Sequence, residues 1–326
     1  MAGLAGVSVA LCTHNGAQFI SAQIESILSQ SPGPDQLVIS DDASNDDSVD
    51  RALEVCARFP DVEVVVLRNT VALGVTANFE QAIRSTTAPL VALSDQDDLW
   101  HSGRLARVLR EFDSRPELLV VGSDATMVRS NGTPMSYTLF EALELSPGEL
   151  AELQAGDAFR ALLRRNLFTG ATMVFRRELL DLALPFPAAW VHDEWLAAIA
   201  SATGEVTILP EQLIDYRQHG GNQIGATRLG FGAKFRRLRE PRTERNARLL
   251  ARAVALVARL ENGEGPVDAA VLAAARAKRD HEQIRSGLRR SRLRRLRPIV
   301  HELRTGGYSA YGRGRLDAVR DLVQPV

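Results

Sequence analysis

The feature that most constrains the fold is a regular alternation, over roughly the first 125 residues, of short apolar runs with amphipathic segments. VSVALC (Val7–Cys12), QLVIS (Gln36–Ser40), VEVVVL (Val62–Leu67), APLVAL (Ala88–Leu93) and ELLVVGSD (Glu117–Asp124) read as strands. The first is close to continuously apolar, as a strand covered on both faces should be. Between them Phe19/Ile20, Ile24 and Ile27/Leu28 recur at helical spacing, as do Val75, Phe79 and Ala82/Ile83, and His101–Phe112 reads as a further helix. SPGPD (Ser31–Asp35) punctuates the first unit, and DDASNDD (Asp41–Asp47) is a polar turn into the second helix. This order predicts an α/β chain with a doubly wound, mostly parallel sheet. Such sheets bind ligands beyond the carboxyl ends of their strands. Three polar clusters fall at those ends: Cys12–Asn15, Asp41/Asp42 and Asp95–Asp98.

The acidic cluster lies in SDQDDLW (Ser94–Trp100), directly after a strand. In extended backbone residues i and i+2 point to the same side, so Asp95 and Asp97 face one site while Gln96 points away. Two carboxylates on one face repel unless a cation sits between them. A hard divalent ion, Mg²⁺ or Mn²⁺, does this with oxygen ligands and also takes phosphate oxygens. The pair therefore reads as an Asp-x-Asp site for a metal-bound nucleoside diphosphate. An acidic loop without metal is the other reading, since Asp favours turns. No G-x-G-x-x-G follows the first strand and no G-x-x-x-x-G-K-[ST] occurs, which argues against a dinucleotide dehydrogenase and a P-loop NTPase.

With 326 residues, 45% hydrophobic and 24% charged, the chain is an ordinary globular one with room for one large or two moderate domains. No window of about 18 consecutive apolar residues predicts a membrane span, and the N-terminus lacks a basic, cleavable leader. Cys12 and Cys56 sit in apolar patterns, which reads as buried reduced thiols and a cytoplasmic setting. The net charge of −1 conceals a division. Residues 1–227 hold 15 Lys/Arg against 30 Asp/Glu, and residues 228–326 hold 24 against 10. Two regions with different work are expected: 1–227 catalytic, 228–326 basic and helical.

VSVALCTHNGAQFI (Val7–Ile20), SDDASND (Ser40–Asp46), LGVTANFEQAI (Leu73–Ile83) and SDQDDLW resemble the inverting family 2 glycosyltransferases of the GT-A fold. TGATMVFRREL (Thr169–Leu179), VHDEWLA (Val191–Ala197) and DYRQHGGNQIGA (Asp215–Ala226) resemble the bacterial rhamnosyltransferase-type branch, which builds surface polysaccharides. The resemblance covers roughly residues 7–226, and its strength lies in the order of the motifs. It implies that Cys12, Thr13, His14 and Asn15 touch the pyrimidine and ribose of the donor, with His14 where the family usually carries Tyr. It implies that Asp42 accepts the N3–H of uracil or thymine, a charge-assisted bond. Asp97 would be the direct metal ligand, with Asp95 at the ribose or at a metal-bound water. Asp193 would be the general base that takes the proton of the acceptor hydroxyl, with Glu194 the second choice. Arg217 would reach the diphosphate, His219 the diphosphate or the metal, and Gly220 and Gly221 would let that segment fold over the donor. Thr169, Gly170, Trp190 and Trp195 would stand on the acceptor side.

Each position has a plainer reading. Thr13 and Asn15 suit helix capping, Asp41–Asp46 suit a turn, His192–Glu194 suit the first turn of a helix, and both tryptophans suit a core. In the basic region ARLLARAVALVARL (Ala247–Leu260) and AAVLAAARAKRDHEQI (Ala269–Ile284) read as helices, and RSGLRRSRLRRLR (Arg285–Arg297) as a basic amphipathic helix. It would lie on an anionic membrane or pack on the acidic region. Nucleic acid is not expected, because no aromatic residues are interleaved. Together these readings predict an inverting, metal-dependent glycosyltransferase, peripheral on the inner face of the cell membrane. It would use a UDP- or dTDP-sugar, with rhamnose one candidate sugar, and a glycan or lipid-linked glycan acceptor. The rivals are a sugar-phosphate nucleotidyltransferase and a non-catalytic nucleotide-sugar-binding protein. The first loop has no basic residue for nucleotidyl transfer, and Asp193 speaks against an inert binder.

Overall fold

The computed structural model describes residues 6–155, 157–219, 241–263 and 267–325. The expected boundary at 227/228 and the Gly220–Gly221 pair lie outside the described residues. One nine-stranded sheet organises the chain: β1 (Val7–Thr13), β2 (Gln36–Asp41), β3 (Glu63–Arg68), β4 (Leu90–Asp95), β5 (Leu99–Trp100), β6 (Leu118–Arg129), β7 (Pro134–Thr138), β8 (Val174–Arg176) and β9 (Glu205–Gln218). The spatial order is β3-β2-β1-β4-β8-β6-β9-β5, with β7 on β6. β3, β2, β1 and β4 are mutually parallel. β8 joins antiparallel to both β4 and β6, β9 runs parallel to β6, and β5 and β7 run antiparallel to their partners. Six of the nine strands therefore point one way, and the sheet is mostly parallel.

The nearly continuous apolar strands are explained by two covering layers. Because side chains alternate across a strand, Val9, Leu11, Leu37, Ile39, Leu90 and Ala92 face one core. Ala10, Cys12, Val38, Val91 and Leu93 face the other. The first core is closed by α1 (Ile20–Leu28), α2 (Ser48–Cys56) and α4 (Arg104–Ser114). The second is closed by α3 (Val75–Arg84), α7 (Ala158–Arg164) and α9 (His192–Thr203). Ile20, Ile24 and Ile27 of α1 are fully buried, each stabilising by about 1.5–3 kcal/mol. Three short helices, α5 (Leu139–Ala142), α6 (Pro147–Gln154) and α8 (Leu179–Ala183), complete the first 219 residues.

The C-terminal region is helical: α10 (Arg242–Asn262), α11 (Ala269–Ser286), α12 (Arg292–Arg304), α13 (Gly307–Tyr311) and α14 (Arg315–Val323). Leu256, Val257 and Leu260 of α10 and Ala275 of α11 join the second core of the sheet. The basic run is not one helix. Gly287 closes α11 and Ser291 precedes α12, so Arg285 and Arg295 belong to different helices and both are buried. TGATM is not a plain strand and turn either: Gly170–Thr172 form a 3₁₀ turn that leads into β8.

Candidate active site

Register alone brings the polar clusters together. Cys12 pairs with Asp95 across β1 and β4, and Thr13 pairs with Asp41 across β1 and β2. The carboxyl ends of three parallel strands thus form one floor. A cavity opens there, bounded by the first loop, Asp42, the Asp95–Asp97 turn, the start of α3, the Thr169–Gly170 turn and the start of α9.

The first loop is held by its neighbours rather than by α1. Thr13 Oγ1 donates to Gln96 Oε1 at 2.6 Å, the His14 N–H donates to the same oxygen at 2.9 Å, and Gln96 Nε2 returns a bond to the His14 carbonyl at 3.2 Å. Asn15 adopts φ +50°, which Asn tolerates better than most residues. Its N–H donates to Ser44 and its Oδ1 accepts from Asn45. Neither Thr13 nor Asn15 caps α1, which has no side-chain cap. A Cβ at position 16 would stand 2.1 Å from Gln96 Oε1, so any larger residue there would displace the Gln96 amide. Asp42 accepts from the Leu73 and Gly74 N–H groups at 2.6 and 2.9 Å. It lines the cavity, and a carboxylate keeps lone pairs beyond those two bonds.

Asp95, Asp97 and Asp193 face one another across the floor. Burial, then repulsion by Asp97 and Asp193, pushes the Asp95 carboxyl up to about 7. Burial raises Asp98 as well. One Asp98 oxygen accepts the Arg217 N–H at 2.9 Å. Arg104, fully buried, stacks its guanidinium 4.0 Å over Trp100 and opposes the Asp98 charge; burial pulls it down to about 9. Strand β5 makes this possible, because its pairing of Leu99 with Asp215 sets the acidic turn against the end of β9. From there His219 Nε2 lies 2.6 Å from Asp97 Oδ2 and its ring stacks on Phe19. Arg217 Nε donates to the Asp97 carbonyl at 2.7 Å.

Asp193 is in the first turn of α9. Its Oδ2 accepts the Gly170 N–H at 2.9 Å and its Oδ1 accepts the Glu194 N–H at 2.7 Å. Burial raises its carboxyl despite those bonds. His192 stacks on Phe79 at 4.0 Å, and burial holds its imidazole neutral, down to about 3. Glu194 points instead to Arg252 of α10, with which it forms an ion pair. Arg252 also covers the Trp190 ring at 4.1 Å, and the Trp190 indole donates to the Arg252 carbonyl. Trp195 lies inside the core, its indole bonded to the Ala183 carbonyl.

Of the residues expected from sequence, Cys12, Thr13, His14, Asp42, Asp95, Asp97, Thr169, Gly170 and Asp193 line the cavity. Arg217 and His219 hold Asp97 from behind, Asn15 fastens the first loop, and Glu194, Trp190 and Trp195 lie outside the lining. Gln96, expected to point away, instead lines the cavity because its amide bonds the first loop, and sequence reasoning missed Asn78, Phe79, His192 and Tyr216 as lining residues. Val75, Asn78 and Phe79 share the spacing that marked α3 as amphipathic, so one helix face serves both core and cavity.

The glycosyl transferase family 2 model matches residues 8–181. An uncharacterized glycosyltransferase of Nostoc sp. is 27% identical over 222 residues, 66% of either chain. The Escherichia coli UDP-Glc:alpha-D-GlcNAc-diphosphoundecaprenol beta-1,3-glucosyltransferase WfgD is 30% identical over 59% of this chain and 69% of its own. The dTDP-rhamnosyl transferase RfbG of Shigella flexneri is 24% identical over 70% and 78%. The chain thus matches somewhat less than two thirds of the Nostoc relative's length. Among solved structures, S. aureus TarS 1–349 in complex with UDP-GlcNAc aligns at TM-score 0.60 and 14% identity, over 98% of this chain and 88% of that 1–349 chain. The mannosyltransferase PcManGT of Pyrobaculum calidifontis, in complex with GDP-Man and Mn²⁺, aligns at 0.55 and 17%, over 98% and 85%. With the sheet order, the carboxyl-edge site and a family match over more than half of its residues, the chain has the GT-A fold and belongs to glycosyl transferase family 2.

Proposed function

We propose that the protein is an inverting glycosyltransferase. It moves a hexose or 6-deoxyhexose such as rhamnose from a pyrimidine nucleoside-diphosphate donor to a hydroxyl of a surface polysaccharide or lipid-linked glycan. The observation that carries this reading is the cluster of Asp95, Asp97 and Asp193 in one cavity, where burial and mutual repulsion hold Asp95 up to about 7. Such a floor favours a cation and a phosphate partner over water alone.

The donor set fits Mg²⁺ or Mn²⁺. Among the described residues no group of three or more His, Cys, Asp and Glu is placed to hold a metal ion by itself. Mg²⁺ sites usually rely on one or two carboxylates, with waters and phosphate oxygens completing the shell. Asp97 would hold the ion, with Asp95 and His219 beside it. Bound there, the ion would neutralise the departing diphosphate.

The chain's own groups do the rest. The first loop and Asp42 receive the nucleoside, Asp42 accepting the imide N–H. Asp193 takes the acceptor's proton on a carboxylate oxygen as the acceptor oxygen bonds to the anomeric carbon. The carbon–oxygen bond to the diphosphate breaks on the opposite face, so the configuration inverts. The raised Asp193 carboxyl is a stronger base than an exposed one, and the Gly170 and Glu194 N–H groups fix its orientation. WfgD's diphosphoundecaprenol-linked substrate and RfbG's dTDP-rhamnosyl transfer support the donor and acceptor classes. An acceptor on a lipid carrier places the reaction on the inner face of the cell membrane. No described helix is long and apolar enough to cross a membrane, so attachment would be peripheral.

The test is a panel of UDP-, dTDP- and GDP-sugars with and without Mg²⁺ or Mn²⁺, read by thermal shift and by donor turnover. A ligand at 100 times its Kd should stabilise by roughly 2.7 kcal/mol. Stabilisation by GDP-sugars alone would overturn the pyrimidine reading. Asp193→Asn should lower kcat by at least about 10²-fold with donor affinity nearly unchanged; a near-normal kcat would remove Asp193 from the base role.

A further inference from the structure

We propose that α12 and α14 together form an interfacial face that docks on an anionic lipid bilayer, an inference that rests on the membrane-surface reading above and gives it a location. The two helices pack against each other. Their inner faces carry Ile299, Tyr308 of the intervening α13 and Ala318 into a small apolar cluster. Their outer faces do not follow the usual polar pattern. On α12 Leu293, Leu296, Val300 and Leu303 recur at i, i+3, i+7 and i+10, and all are exposed. On α14 Leu316 and Val319 repeat the same step and are exposed too. Leu293 is 79% and Leu316 68% exposed. Apolar side chains on a helical stripe in water mark a surface that something else covers.

The charge distribution selects the partner. From Gly287 to Pro325 the acidic residues are Glu302, Asp317 and Asp321, and all three are buried. Over the same span eight arginines are exposed, between Arg289 and Arg315. On α12 Arg297 and Arg304 border the leucine stripe, displaced from its centre by roughly a sixth to a quarter of a turn at about 100° per residue. The buried arginines, Arg285 and Arg295, are spent inside the helical region, on Glu282, Asp321 and backbone carbonyls. The outward side therefore pairs exposed Leu and Val with Arg and shows no exposed carboxylate among its described residues. A helix of this kind seats its apolar stripe at the acyl boundary while its cations meet anionic headgroups. A second copy of the same face would oppose arginine to arginine, and this favours lipid over self-association.

The experiment is co-sedimentation of the full chain with phosphatidylcholine vesicles, with and without phosphatidylglycerol, at low and high salt. Wild type should bind only the phosphatidylglycerol vesicles and should be released by salt. Leu293→Glu/Leu316→Glu, at exposed positions where folding is spared, should lose at least tenfold in partition with an unchanged melting midpoint. Arg297→Gln/Arg304→Gln should lose roughly fivefold per arginine. If wild type binds but both double variants bind equally well, this face is wrong and the membrane reading survives. If wild type binds no vesicle, both fail. If the Leu293→Glu/Leu316→Glu change converts a dimer to a monomer in sedimentation and vesicles are never bound, the face covers a second copy and the lipid proposal is overturned.

Discussion

At the carboxyl edge of the sheet, Asp95, Asp97 and Asp193 crowd one cavity and their repulsion adds to burial in pushing Asp95 up to about 7. In the C-terminal helices charges are buried as well, yet they meet opposite charges or, for Arg242 and Arg295, backbone carbonyls. Arg285 bonds Asp321 at 2.7 Å and Glu282 at 3.1 Å, Arg245 reaches Asp321 at 2.6 Å, and Lys278 reaches Glu282 at 2.7 Å. The interior of the helical region thus settles its own charges, and only its outward α12–α14 face is left for a partner. The edge of the sheet leaves like charges together, a state that costs stability and that a cation with a phosphate partner, as proposed, would relieve. Strain of this sort is a sign of function; internal pairing is a sign of scaffolding.

Three substitutions can break or sharpen that contrast. The largest effect is expected at the edge: Asp97→Ala should lower transfer by about 10³-fold or more and abolish the dependence of nucleotide binding on Mg²⁺ or Mn²⁺. Calorimetric titration with and without EDTA reads this, and full wild-type activity in EDTA would defeat it. Next, Asp321→Asn strips the carboxylate shared by Arg285, Arg245 and Tyr308. It should cost about 3–5 kcal/mol in chemical denaturation, as removing one partner of a buried pair does, while the folded fraction still binds donor. The smallest effect has the opposite sign. The native Asp95 carboxyl holds its proton up to about 7, whereas an unfolded one releases it near 3.8. Across that window the native state binds more protons, so stability falls as pH rises. Asp95→Asn should flatten that fall and stabilise the ligand-free protein at pH 8 by roughly 1–3 kcal/mol, seen as a higher melting midpoint. A loss of stability there would show that the edge is not strained.

The sheet was legible because buried strands and amphipathic helices carry their pattern within a few residues of one another. VSVALC and LGVTANFEQAI need no distant partner to be read. Asp95, Asp97 and Asp193 were legible as candidates because motif order exposed them. What could not be read was pairing at long separation. Gln96 meets Thr13 and His14 across more than eighty residues, and Asp98 meets Arg217 across more than a hundred. Nothing local marks Glu194 as the partner of Arg252 rather than of a substrate. The basic run misled for a related reason. A count of arginines does not tell which of them turn inward, and Gly287 with Ser291 divides the run between two helices.

Gln96 sits between the two carboxylates of the acidic turn, and its amide grips the first loop at three points. On the proposed reading, the ends of the cavity that would receive the nucleoside and the diphosphate are thereby one mechanical part. A donor bound in that way would meet both ends in register at once, without first ordering one against the other. That lowers the conformational entropy lost on binding. It also means that a fault introduced at either end is felt at the other: a side chain at Gly16 would press on Gln96 and, through it, shift the acidic turn. Tolerance to change in the first loop is thus tied to an amide eighty residues away.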